Sequence, residues 1–90
     1  MLRNGNRMNQ LLWAITDELT TAILKHQSMN SAHEAYAVIL EELEEFWEEV
    51  KKKRENRSPD RMRMELIQIA AMACRTVIDL NLDSKAQPTD

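Results

Sequence analysis

Six glutamates fall within nine consecutive positions, Glu41, Glu42, Glu44, Glu45, Glu48 and Glu49, and the run leads into Lys51-Lys52-Lys53-Arg54. Like charges a helical turn apart cost a few tenths of a kcal/mol per pair, so this density of carboxylates calls for a cause. A hard divalent cation shared among them reverses the sign, because Mg²⁺ takes oxygen ligands in octahedral geometry. The competing cause is solvation alone: an acidic helix face supported by pairs such as Glu48–Lys52 and Glu49–Lys53. The first reading leads to a metal-dependent enzyme and the second to a helical interaction module.

Successive helical residues turn by about 100°, so the six carboxylates divide between faces. Glu41, Glu44 and Glu48 point away from the apolar stripe. Glu42, Glu45 and Glu49 form a separate row at i, i+3, i+7 that borders the apolar face beside Ile39 and Phe46. A second acid, Glu65, lies on the edge of a later apolar stripe with Gln68 one turn on. If the two helices pack antiparallel through a short turn near residue 57, Glu49 falls opposite Glu65, and Glu45 opposite Gln68 or Ile69. Carboxylates projecting from facing helices are an established way to build a metal site in a bundle.

The elements that must carry these residues are helices. One Gly, two Pro and abundant Glu, Leu, Met, Ala, Lys and Arg favour helix throughout. The expected architecture is all-α, a bundle of about three helices in one domain spanning residues 1–90. The first helix is expected over 9–26, with Leu12, Ile15, Leu19, Ala22 and Ile23 at three- and four-residue steps. Ser31 and Glu34 make an S-x-x-E capping box that starts a second helix over 32–55, burying Tyr36, Ile39, Leu40, Leu43, Phe46, Trp47 and Val50. Ser58 as N-cap and Pro59 at the first position start a third over 59–81, burying Met62, Leu66, Ile69, Ala70, Ala73, Val77 and Leu80. Residues 1–7 and 83–90 are expected to fray.

The net charge of −3 argues against broad electrostatic attraction to a nucleic-acid polymer. No apolar run approaches the ~18 residues that span a bilayer, and no signal-peptide core is present. A cytoplasmic protein without a membrane partner is therefore expected, and lone Cys74 in an apolar run reads as a buried structural thiol. With 43% apolar residues in so short a chain, the apolar surplus is expected to cover a subunit interface, in a homodimer or homotetramer.

The stretch "EELEE" at 41–45, followed after a gap of 19 residues by "ELIQIA" from Glu65, resembles the E-E-x-x-E … E-x-x-D pattern of the MazG-like nucleotide pyrophosphohydrolases, which belong to the all-α NTP pyrophosphatase superfamily. The flanking "HEAYAVILEELEEFWEEVKKK" and "ELIQIAAMA" are similar to short, single-domain members, and the resemblance covers about residues 32–82. It implies Mg²⁺-dependent hydrolysis of a nucleoside triphosphate to a monophosphate and pyrophosphate, with a role in clearing surplus or non-canonical nucleotides. It also implies that Glu42, Glu45, Glu65 and the residue at 68 hold Mg²⁺. Gln68 stands where the pattern has Asp, offering a neutral oxygen, and Glu49 or Glu41 is then expected to share the load.

Such chemistry needs charge neutralisation, alignment and an oriented water. Glu45 or Glu41 is the candidate for orienting the water. Lys52, Lys53 and Arg61, just beyond the acidic row, are candidate phosphate contacts, and His33 in the first turn of the second helix is a candidate nucleotide contact. The alternative function is a non-catalytic oligomeric helical module, its acidic row merely solvated.

Overall fold

The computed structural model describes residues 2–83. Three α-helices and one short 3₁₀ turn follow in order: α1, Leu2–Lys25; α2, Ala32–Val50; a 3₁₀ turn, Arg54–Asn56; and α3, Pro59–Asp79. No strand occurs among the described residues, and the fold is all-α as expected. No helix among them is long and apolar enough to cross a membrane.

α1 begins seven residues before the expected start and takes in most of the segment expected to fray. Asn4-Gly5-Asn6 are poor helix formers, but each costs at most about 1 kcal/mol, and no proline stops propagation toward the N-terminus. The expected fraying of 83–90 falls, beyond Asp83, outside the described residues.

α2 starts as its capping box dictates. Ser31 is extended, its hydroxyl accepts the Glu34 N–H at 3.1 Å, and the Glu34 carboxylate reaches back to the Asn30 N–H. The helix stops at Val50, five residues short of the expected end. Its last carbonyl is taken by a side chain from beyond the turn: Arg57 Nε donates to the Val50 carbonyl at 2.9 Å and to the Lys52 carbonyl in the turn at 3.2 Å. The opposite exchange starts α3. Glu49 Oε2 accepts the Ser58 N–H at 2.7 Å, and Ser58 Oγ accepts the Arg61 N–H at 3.1 Å ahead of Pro59. α3 ends at Asp79 because Asn81 adopts φ 61°, and the Leu82 N–H then bonds back to the Val77 carbonyl at 2.9 Å.

α3 packs against both other helices, while α1 and α2 barely meet. The core that results is small: Ala22, Met29, Ala35, Ala71 and Met72, with Leu19, Val38, Ile39 and Leu80 against it. On α3 the buried positions are Glu65, Ile67, Ala71, Met72 and Arg75, so the face turned inward is rotated from the one its apolar spacing suggests. Several residues expected in the core lie outside it: Leu12, Ile23, Tyr36, Leu40, Leu43, Trp47, Leu66 and Val77 are exposed, Tyr36 at 68%. Cys74 is exposed rather than buried, because the rotation of α3 turns it outward. The radius of gyration is 15.2 Å, against about 12 Å for a compact chain of this length. The bundle is open.

Candidate active site

The gap between α1 and α2, floored by α3, forms a polar groove of about 670 Å³. One end is acidic, with Glu18 from α1, Glu41 and Glu42 from α2, and Gln68 from α3. The other end is formed by Lys25, His26 and the loop that follows, over Arg75.

Glu42 at the acidic end and Glu65, buried beside it outside the groove lining, are carboxylates whose burial calls for something that joins them. Glu65 is 5% exposed. Glu42 is half-buried, and on each of the two residues Oε2 is shut away from solvent with no hydrogen-bond partner. Orphaned buried carboxylate oxygens are costly. Loss of solvation, followed by repulsion from Glu45, Glu65, Glu41 and Glu18, pushes the Glu42 carboxyl up to about 7. Burial first, and then the adjoining Glu45 carboxylate with which it can share a proton, raise Glu65 as well, while the charge of Arg61 opposes the rise. Glu45 itself is exposed, between these two acids and water.

All donors here are oxygens, as a hard cation demands. Among the described residues no three acidic, histidine or cysteine side chains converge on one metal position. That does not conflict with Mg²⁺, which keeps several waters and is held by one or two protein carboxylates together with substrate phosphates. Glu42 Oε2 and Glu65 Oε2 fit that requirement, with Glu45 near both and Gln68 lining the groove with Glu42.

The remaining expected residues separate. Glu49 does not face Glu65. The 3₁₀ turn lengthens the connection, so Glu65 lies against Glu45, one turn earlier on α2. Glu49 is instead 2% exposed and fully occupied, with Oε2 on the Ser58 N–H and Oε1 on Lys52 Nζ at 3.0 Å. These bonds hold its carboxyl below the ordinary range, and it leaves the ligand set as the cap of α3. Lys52 is spent on Glu49, and Lys53 is exposed on the same turn. Neither borders the groove, nor does exposed His33. Arg61 is near enough for its charge to act on both Glu49 and Glu65. Glu41 stands exposed on the groove rim.

Glu18, Lys25 and His26 are groove residues that the acidic-run reasoning passes over. Glu18, Thr21, Ala22 and Lys25 recur at i, i+3, i+4, i+7, which is the pattern of one helix face, but only Ala22 among them belongs to the apolar stripe of α1. Compared with known proteins, the chain matches no family model, no curated protein and no solved structure.

Proposed function

We propose that the chain is a Mg²⁺-dependent nucleoside triphosphate pyrophosphohydrolase of the MazG-like type, releasing pyrophosphate from (d)NTP in the cytoplasm. The observation that carries the reading is the pair of buried, unpartnered oxygens, Glu42 Oε2 and Glu65 Oε2, on facing helices, Glu42 lining the acidic end of an open polar groove and Glu65 buried beside it. Two acids that repel each other and are both held above their ordinary pKa mark a site prepared for a cation. Mg²⁺ bound there would neutralise phosphate oxygens and align the anhydride for in-line displacement.

The chain's own residues divide the work. Glu42 and Glu65 hold the cation, and Gln68 supplies a neutral oxygen within the groove. Glu45, exposed beside Glu65, or Glu41 on the rim orients the attacking water and takes its proton. Arg61 steadies the negative cluster from outside. The test is pyrophosphate release from a panel of (d)NTPs with and without Mg²⁺, on the natural chain and on Glu45→Ala. Release that is absent throughout, or indifferent to the substitution, removes the reading.

A second feature favours association. Tyr36, Leu40, Leu43 and Trp47 lie exposed at four- and three-residue steps along α2, the spacing of a helix-pairing seam. We take this seam to join copies of the chain into a dimer or tetramer. On the rival reading, a non-catalytic oligomeric module, this seam is the whole function and the acids only solvate it. Mg²⁺-dependent turnover separates the two.

A further inference from the structure

The groove's far end is closed by a loop that one ion pair holds in place. Asp79 Oδ2 accepts both the Met29 N–H at 3.0 Å and Arg75 Nε at 3.2 Å. Arg75 Nη2 donates to the Gln27 carbonyl at 2.6 Å, and the side chains of Arg75 and Asp79 are each 8% exposed. Met29 itself is buried in the core, where Thr76 Oγ1 meets its sulfur at 3.6 Å. A buried ion pair is a poor means of stabilising a fold, since apolar residues of similar size serve as well or better. It is a good means of fixing a backbone segment in one place. The segment so fixed presents Gln27, Ser28 and Asn30 to the groove.

Along α3, Gln68 and Arg75 are seven residues apart, about 10 Å. A phosphoanhydride at the acidic end, by Glu42 and Gln68, therefore leaves another part of the same ligand at the loop. The carboxamides of Gln27 and Asn30 and the hydroxyl of Ser28 offer donors and acceptors to the edge of a nucleobase, carried on a backbone held at the Gln27 carbonyl and the Met29 N–H. Selection by such groups is strong only when they cannot move to suit the wrong partner.

We infer that the 27–30 loop reads the base of the nucleotide, and that Asp79, acting through Met29 and Arg75, is the positioning residue that makes the reading selective. This rests on the nucleotide-hydrolase reading. Lys25 at the same end would suit a phosphate instead, and the two assignments differ in outcome: a base reader loses discrimination when loosened, whereas a phosphate contact loses affinity for every nucleotide equally.

The experiment is calorimetric binding of four α,β-imido (d)NTP analogues with Mg²⁺ to the full chain, to Asp79→Ala and to Asp79→Asn, alongside pyrophosphate release from the matching natural nucleotides. The expected result is a preference among bases in the natural chain that falls on the order of tenfold in Asp79→Ala and is largely kept in Asp79→Asn, which retains an acceptor for Met29. Base-selective binding that Asp79→Ala erases, without pyrophosphate release by the natural chain, leaves this inference standing and removes the hydrolase reading. Equal binding of all four analogues by the natural chain, no binding of any, or a uniform loss in Asp79→Ala overturns the inference. If Asp79→Ala does not fold, Asn30→Ala, which alters an exposed groove side chain, carries the same comparison with the same two outcomes.

Discussion

Glu49 and Ser58 join across the α2–α3 turn: the carboxylate of one accepts the main-chain N–H of the other at 2.7 Å, nine residues away. The bond assigns one of six neighbouring acids to folding and so separates it from Glu42 and Glu45. Glu49→Ala is expected to lower Tm by roughly 5 °C or more, as loss of a buried helix cap does. Mg²⁺ affinity should change little. A thermal melt with a parallel Mg²⁺ titration checks both.

Glu42 and Glu49 oppose each other in pH. The Glu42 carboxyl is raised from 4.5 to about 7, so between those values the folded chain keeps a proton that the unfolded chain has lost. Metal-free stability should therefore fall as pH rises through that window, and Glu65, raised for a similar cause, adds to the fall. Glu49 is lowered, and its contribution disappears only as pH drops below the ordinary carboxylate range. Stability measured by denaturant at pH 5 and pH 8 should favour pH 5. Mg²⁺ at pH 8 should restore the difference by binding the folded state alone.

Glu65→Gln removes a repelled buried charge while keeping the side chain's shape. The metal-free protein at pH 8 should become more stable, and pyrophosphate release should fall on the order of 10²–10³-fold. Gain of stability with loss of turnover is the signature of a site held under electrostatic strain. A structural acid would lose both together.

Leu43→Glu places a charge in the middle of the exposed α2 seam, between Leu40 and Trp47. Sedimentation equilibrium should show the natural chain as a dimer or tetramer and the variant shifted to the 10.5 kDa monomer. A monomeric natural chain at micromolar concentration contradicts the association.

How far the chain could be read in advance depends on the range of the interactions involved. Ser31 with Glu34, and Ser58 with Pro59, set two helix starts to the residue, because a cap acts within four positions. The end of α2 was not legible. Lys51 to Glu55 are good helix formers, and what stops the helix at Val50 is Arg57, folding back onto its last carbonyl. The same turn sets the register between α2 and α3, so Glu65 meets Glu45 and not Glu49. The row Glu42–Glu45 was visible from spacing, but the orphaned oxygens depend on α3's rotation, which tertiary packing decides. Apolar spacing placed Tyr36, Leu43 and Trp47 inside, and they are exposed on this chain. Apolar spacing marks a face able to pack and does not say whether this chain packs it.

Glu42 and Glu65 are proposed to hold the Mg²⁺ that serves phosphoanhydride cleavage. The most direct test is the rate of pyrophosphate release from (d)NTPs as Mg²⁺ is titrated, for the natural chain and for Glu65→Gln side by side. Release should rise from zero with Mg²⁺ in the natural chain and be nearly abolished in the variant. Release that is independent of Mg²⁺, equal in the two proteins, or absent from both at every Mg²⁺ concentration contradicts the proposal.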